Sequence, residues 1–139
     1  MKLRIVWIRK TKNPHITALC DDYAARLKHF LPFEIAETKE EKIPSLMGSS
    51  DRVVALDPSG KSWTSDQLAK FLEQHMTSDP RRLNFVIGDY AGLPAELKKR
   101  ADVQWSLSPL TFTHELARVV LLEQLYRALS IIHHLPYSK

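Results

Sequence analysis

Hydrophobic positions along the chain switch between two rhythms, a dense short run and a spacing of three and four. Residues 3–8, Leu-Arg-Ile-Val-Trp-Ile, are rich in β-branched and aromatic side chains and predict a buried strand. Ile16, Leu19, Tyr23, Leu27 and Phe30 then recur at helical spacing, so a helix packs back on that strand until Pro32 ends it. Residues 33–38 predict a second strand. Residues 40–50 are polar, carry Pro44 and Gly48, and predict a loop or a frayed short helix. Residues 53–56 predict a third strand broken by Asp57-Pro58-Ser59-Gly60. Thr64 and Gln67 have the spacing of a capping box, followed by a stripe of Leu68, Phe71, Leu72 and Met76. Residues 83–87 predict a fourth strand ending at Gly88, and residues 94–100 a short helix with Pro94 in its first turn. Residues 103–107 predict a fifth strand, and Thr113 caps a last helix that runs to about residue 132.

This alternation predicts an α/β fold: a mainly parallel sheet of five or six strands with helices on both faces. Nothing resembles a linker, a repeat or a low-complexity segment, so residues 1–139 read as one domain, long enough to bury a core unaided.

Composition narrows the partners. The net charge of +4 favours an anionic partner, with RNA the commonest. Cys20 is the sole cysteine, which excludes an internal disulfide and a cysteine-rich metal site and fits a cytoplasmic protein. The first ten residues are too short an apolar stretch for a signal peptide, and no segment predicts a membrane span.

In open α/β sheets, ligands bind beyond the carboxyl ends of the strands. Three loops leave such ends: Leu56-Asp57-Pro58-Ser59-Gly60, Gly88-Asp89-Tyr90-Ala91-Gly92, and Ser106 through Phe112. Each could equally be plain turn chemistry. The phosphate-cradling G-x-G-x-x-G and G-x-x-x-x-G-K-[ST] patterns, the G-x-S-x-G elbow and H-E-x-x-H are all missing. A ligand here would be read by backbone groups and apolar walls, which suits an adenine ring and a thioether.

The last helix is unusual. Of the seventeen residues 116–132, twelve are apolar and they fall on nearly every face, so a second subunit is expected to cover what the sheet leaves bare. Arg118 lies on the apolar side with Leu121 and Leu125, and His114 precedes it by one turn. An arginine placed so must face a cavity or ligand, or form a buried ion pair. Glu123 and Arg127 read as an ordinary i,i+4 pair, and His133-His134 as a helix end rather than a metal site. Lys98-Lys99-Arg100 and Arg81-Arg82 read as solvated faces or RNA phosphate contacts, and the three tryptophans as packing.

The run from Trp105 through Arg118, Trp-Ser-Leu-Ser-Pro-Leu-Thr-Phe-Thr-His-Glu-Leu-Ala-Arg, is long and specific. With Glu123-Gln124-Leu125-Tyr126-Arg127-Ala128, the ending Pro136-Tyr137, and Leu56-Asp57, Gly60-Lys61 and Val86-Ile87-Gly88, it resembles the ribosomal RNA large subunit methyltransferase H family of the SPOUT superfamily. The similarity covers nearly the whole chain, with a shorter linker after the second strand. The resemblance implies a C-terminal trefoil knot, a homodimer, S-adenosylmethionine as methyl donor without a metal, and N3-methylation of a pseudouridine in large-subunit (23S) rRNA within the ribosome. It also implies that Leu56, Gly88, Leu107, Ser108, Pro109, Leu110, Thr111 and Phe112 line the cofactor site, on the three loops already picked out. Two positions depart from the family pattern: Asp89 stands where a second glycine is usual, and Ser138 where a histidine is usual.

Arg118, Tyr137 and His114 are the candidate catalytic residues: Arg118 to stabilise charge on the base, Tyr137 to position it or accept a proton, and His114 to titrate near neutrality or to orient Arg118. The rival expectation, supported by Asp89 and Ser138, is a non-catalytic RNA- or ribosome-binding protein of the same fold.

Overall fold

The computed structural model describes residues 2–137. Five strands, β1 (Leu3–Ile8), β2 (Phe33–Thr38), β3 (Arg52–Ser62), β4 (Leu83–Ile87) and β5 (Val103–Ser106), form one sheet in the order β2-β1-β4-β3-β5. Every pairing is parallel. The predicted sheet is therefore present, with five strands.

Helices cover both faces, which is why β1 is buried along its whole length. Helices α1 (Pro14–Lys28), α3 (Ser65–Ser78) and α5 (His114–Ile132) pack on the face that holds Leu3, Ile5 and Trp7. The shorter α2 (Ile43–Leu46) and α4 (Ala95–Arg100) cover the face that holds Val6 and Ile8. The period-two alternation of β1 thus feeds two cores. The polar stretch after β2 is a 3-10 turn (Glu40–Lys42) running into α2.

Caps set the helix starts. Asn13 Oδ1 accepts from the backbone of His15 and Ile16, a start that the apolar pattern alone did not mark. The Thr64–Gln67 box is present in both directions, at 3.1 and 2.8 Å. Helix α5 ends in a Schellman motif: Leu135 N–H bonds the Ser130 carbonyl at 2.8 Å, His134 N–H bonds Ile131 at 3.1 Å, and His134 takes the left-handed conformation (φ 56°).

The third strand corrects the sequence reading. Asp57 through Gly60 does not end β3 but interrupts its pairing with β5, which shifts register between Leu56 and Lys61 and then resumes at Ser62. Gly60 permits this because a Cβ there would lie 2.6 Å from the Gln104–Trp105 backbone. Residue 107, placed in β5 by pattern, lies just past its end.

At the opposite end of the sheet, His75 on α3 is fully buried and was not singled out by the apolar stripe. Its Nδ1 lies 3.1 Å from an Arg52 guanidinium nitrogen and its Nε2 lies 2.9 Å from the Arg81 carbonyl oxygen. Only a neutral ring, accepting from Arg52 and donating to Arg81, satisfies both. Burial holds the His75 pKa below its usual 6.5, against the opposing pull of Asp79. The unfolded chain therefore takes up a proton below about pH 6.5 that the native state refuses, and stability falls as pH drops through that point. Urea unfolding should show a loss of about 1–2 kcal/mol between pH 7 and 5. His75→Gln, which can make the same two bonds, should flatten that slope; an unchanged slope would place the proton elsewhere.

Candidate functional site

The carboxyl ends of β3, β4 and β5 converge on a cavity of about 210 Å³. All three strand-end loops reach it. Leu56, Gly88, Leu107, Ser108, Leu110, Thr111 and Phe112 line it, together with His114 and Ala117 from the first turn of α5. Pro109 is exposed and is not among the lining residues. The pattern undercounted the polar lining: Asp57, Asp89, Tyr90 and Ser106 also face the cavity.

Each wall has a local cause. Gly88 is required because a Cβ there would lie 2.5 Å from the Gly92 backbone, where the loop folds back on itself. The turn is closed by Gly92 N–H to the Asp89 carbonyl at 2.8 Å and by Ala91 N–H to Asp89 Oδ1 at 3.0 Å. Asp89 therefore ties its own turn, and the bare backbone at Gly88 still faces the cavity. Asp57 accepts from the Ser59 backbone at 3.1 Å and from its hydroxyl, and pairs with Lys98 at 3.3 Å. The Ser59 hydroxyl leads in lowering its pKa, so Asp57 is ionised. In the third loop, Ser106 Oγ donates to the Ser108 carbonyl and Ser108 Oγ accepts from Leu110 N–H. This leaves backbone, apolar walls and two carboxylates, a donor set that fits a nucleoside carrying a thioether or sulfonium chain. Among the described residues, no group of three or more His, Cys, Asp or Glu could hold a metal ion.

Arg118 is fully buried and does not line this cavity. Its two Nη atoms donate to the Ile8 carbonyl at 2.8 Å and the Thr11 hydroxyl at 2.7 Å, and its guanidinium sits 4.7 Å from the Trp7 ring centroid. Burial lowers its pKa, with Glu115 and Glu37 pulling the other way. Glu115 accepts from the backbone of Lys12 and Asn13, and Glu37 from Thr11. The start of α5 thus clamps the loop that joins β1 to α1, where Arg9 is held at φ 69°.

Tyr137 lies elsewhere. After the Schellman turn, the tail folds back on α5, and the Tyr137 hydroxyl donates to Glu123 at 2.9 Å and lies 3.1 Å from the Tyr23 hydroxyl. The ring meets Tyr126 edge-on, with the Arg127 guanidinium 5.0 Å from its centroid. Burial first, then these hydrogen bonds, raises its pKa well above the usual tyrosine value. The Glu123–Arg127 pair, at 2.7 Å, is thus the seat of the tail as well as a helix-surface pair. A groove of about 560 Å³ between Ser65, Gln124, Arg127 and Tyr137 runs beside it. It is larger than the strand-end cavity, but it is lined by α3, α5 and the tail, away from the carboxyl ends of the strands. Glu123 is nine positions beyond His114, which puts roughly 14 Å of helix axis between the tail and the cavity. Ser138 lies outside the described residues.

Helices α1 and α3 flank α5 on either side. Its outward stripe is Leu116, Val120, Glu123, Arg127 and Ile131, with Leu116 and Ile131 exposed at the two ends.

With that geometry in place, comparison with known proteins is decisive. A family model described as predicted SPOUT methyltransferase matches residues 1–138. The chain belongs to the SPOUT methyltransferase family. A Coprothermobacter proteolyticus protein named ribosomal RNA large subunit methyltransferase H is 40% identical over 139 residues, covering 100% of both chains. Among solved structures, a probable methylase family protein from Haemophilus influenzae superposes with a TM-score of 0.62 at 11% identity, over 99% of this chain and 70% of that one. A candidate methyltransferase from Legionella pneumophila, solved with bound S-adenosylmethionine, gives 0.53 at 11% identity, over 93% of this chain and 66% of that one. The resemblance read from Trp105 through Arg118 is thereby shown to reflect family membership.

Two substitutions probe this site. Arg118→Ala strands the Ile8 carbonyl and opens a cavity under Trp7, so it should cost about 2–4 kcal/mol in urea unfolding. A loss below about 0.5 kcal/mol would mean that the guanidinium is not holding the loop. Gly88→Ala should weaken S-adenosylmethionine binding at least tenfold, about 1.4 kcal/mol by calorimetry; unchanged affinity would place the cofactor elsewhere.

Proposed function

We propose that the protein is an S-adenosylmethionine-dependent methyltransferase that modifies N3 of a pseudouridine in large-subunit rRNA, within the ribosome and in the cytoplasm. The observation that carries this reading is the cavity at the ends of β3, β4 and β5, built from the loops that hold the family's motif residues. The donor supplies an already activated methyl group. The protein's task is then to hold donor and acceptor in line and to help N3 lose its proton.

In this proposal Leu56, Gly88, Leu107, Ser108, Leu110, Thr111 and Phe112 would hold the donor. Backbone at Gly88 and in the loop after β5 would bind it, and Ile87, Phe112 and Ala117 would exclude water from it. His114 stands on the cavity wall at the start of α5. Arg118 serves as a positioning residue, because both its Nη atoms bond Thr11 and Ile8 and it does not line the cavity. Tyr137 meets the acceptor base, with Glu123 taking the tyrosyl hydrogen bond. No metal takes part.

Reacting atoms must come within roughly 3–3.5 Å. From its own subunit, Tyr137 is too far along α5 to meet that condition. A symmetric homodimer resolves this. Antiparallel packing of two α5 helices across the Leu116–Ile131 stripe sets the tail of one subunit beside the cavity of the other, and the exposed apolar ends of the stripe support such a contact. The trefoil knot belongs to the same proposal. It is supported by the path of the chain from edge strand β5, past the loops after β3 and β4, to the Arg118 contact beneath β1.

The competing reading, an RNA-binding protein without the reaction, rested on Asp89 and Ser138. The Asp89 turn weakens it, since that side chain ties its own loop and leaves Gly88 free. Deletion of residues 137–139 separates the two readings. We expect cofactor affinity to stay within about tenfold, a change below about 1.4 kcal/mol, while methyl incorporation into unmethylated ribosomes is lost. Incorporation that persists would remove Tyr137 from the reaction, and no incorporation by the intact protein would favour the binding-only reading.

A further inference from the structure

The cavity wall carries two carboxylates, and their charges are answered differently. Asp57 is offset by Lys98 at 3.3 Å and by the Ser59 hydroxyl. Asp89 is answered by one backbone amide alone: its Oδ1 accepts from Ala91 N–H at 3.0 Å, and among the described residues its Oδ2 has no partner. His114 is the remaining titratable group on the wall besides Tyr90. On the far side of Asp89, a second hollow holds Arg9 and Lys39 together with Glu40 and Glu41, which balance one another in formal charge. Of the two carboxylates on the cavity wall, Asp89 is thus the one without an ion-pair partner among the described residues. Its turn is closed by the Asp89–Gly92 bridge, and the Gly88 and Gly92 backbones pack too closely to admit a Cβ between them. The rest of the wall is largely apolar, from Leu56, Ile87, Leu107, Phe112 and Ala117, so a charge there acts through less screening than on open surface.

Methyl transfer changes the charge of the ligand. The donor's sulfur is a sulfonium with a formal positive charge. When the S–CH₃ bond breaks, its electron pair stays on sulfur, the methyl goes to the acceptor, and the product is a neutral thioether. Donor and product have nearly the same shape otherwise, and apolar walls and backbone groups distinguish them poorly.

We propose that Asp89 makes this cavity select the cationic methyl donor over its neutral thioether product, so that the reaction itself weakens the hold on the spent cofactor. This rests on the cofactor reading of the cavity and adds to it a discriminating residue that the family's usual glycine could not supply. Holding donor above product keeps the site from being blocked by its own product.

The test is calorimetry with three probes: S-adenosylmethionine, S-adenosylhomocysteine and sinefungin, in which an amine-bearing carbon replaces the sulfonium and keeps a cation without a transferable methyl. The wild-type protein is compared with Asp89→Asn, whose amide oxygen can still accept from Ala91 N–H, and with Asp89→Gly, which removes the side chain. Thermal unfolding checks that the turn survives. In Asp89→Asn we expect S-adenosylmethionine and sinefungin to weaken about tenfold and S-adenosylhomocysteine to change less than about twofold. Raising salt should shrink the wild-type preference and leave the Asn variant unmoved. If all three probes weaken equally in both variants, Asp89 shapes the loop without reading charge, and the inference is overturned. If the donor-to-product ratio is the same in wild type and Asp89→Asn, it is overturned as well. If the wild-type protein binds none of the three, the cofactor reading itself fails and takes this inference with it.

Discussion

The bond between the Arg118 guanidinium and the Ile8 carbonyl ties the last helix to the end of the first strand, and most of the architecture depends on it. A fully buried cation needs strong partners, and here it has a carbonyl, a hydroxyl and the face of Trp7. Those partners fix where α5 crosses the sheet. Once that crossing is set, residues 107–113 must travel from edge strand β5 back over the ends of β3 and β4. That path encloses the cavity. The same crossing sets the direction of α5, and hence where its far end delivers the tail.

Helix α5 therefore does two jobs at two ends. Its first turn contributes His114 and Ala117 to the cavity wall, while Glu115 secures the β1–α1 loop. Its second half carries Glu123 and Arg127, on which Tyr137 rests. These ends are separated by roughly 14 Å of helix axis. The proposed homodimer rests on that separation as well as on the apolar character of the helix.

Much of the fold was legible because its signals are local. The run at residues 3–8, the Thr64–Gln67 box and Thr113 each mark an element by chemistry within a few residues, and the structure places those elements there. The continuation of β3 past Asp57 was not legible, because pairing of Lys61 with Trp105 is a contact across forty-odd residues that periodicity does not carry. The cavity loops were legible from the rule that ligands sit at strand ends; seven of the eight residues that the resemblance implied for the cofactor site line the cavity there, and Pro109 lies outside it. Arg118 was legible as an anomaly but not as a clamp, since Ile8 and Thr11 lie more than a hundred positions away. Tyr137 and the Glu123–Arg127 pair were read separately. The pair His133-His134 was read as a helix end, but the left-handed reversal at His134 that brings Tyr137 onto the Glu123–Arg127 pair was not.

The central claim is that the reactive site is shared, with the donor held by one subunit and the acceptor met by the tail of the other. Subunit mixing tests it most directly. Gly88→Trp, whose side chain has no room against the Gly92 backbone and so breaks the cavity loop, and a chain truncated before Tyr137 should each be inactive alone in methyl transfer to unmethylated ribosomes. Mixed in equal amounts and allowed to exchange, they should regain roughly a quarter of wild-type activity, because half the dimers then carry one intact shared site. A mixture that stays as inactive as its two components, with exchange verified by mass, would contradict the shared site and return the reaction to a single chain.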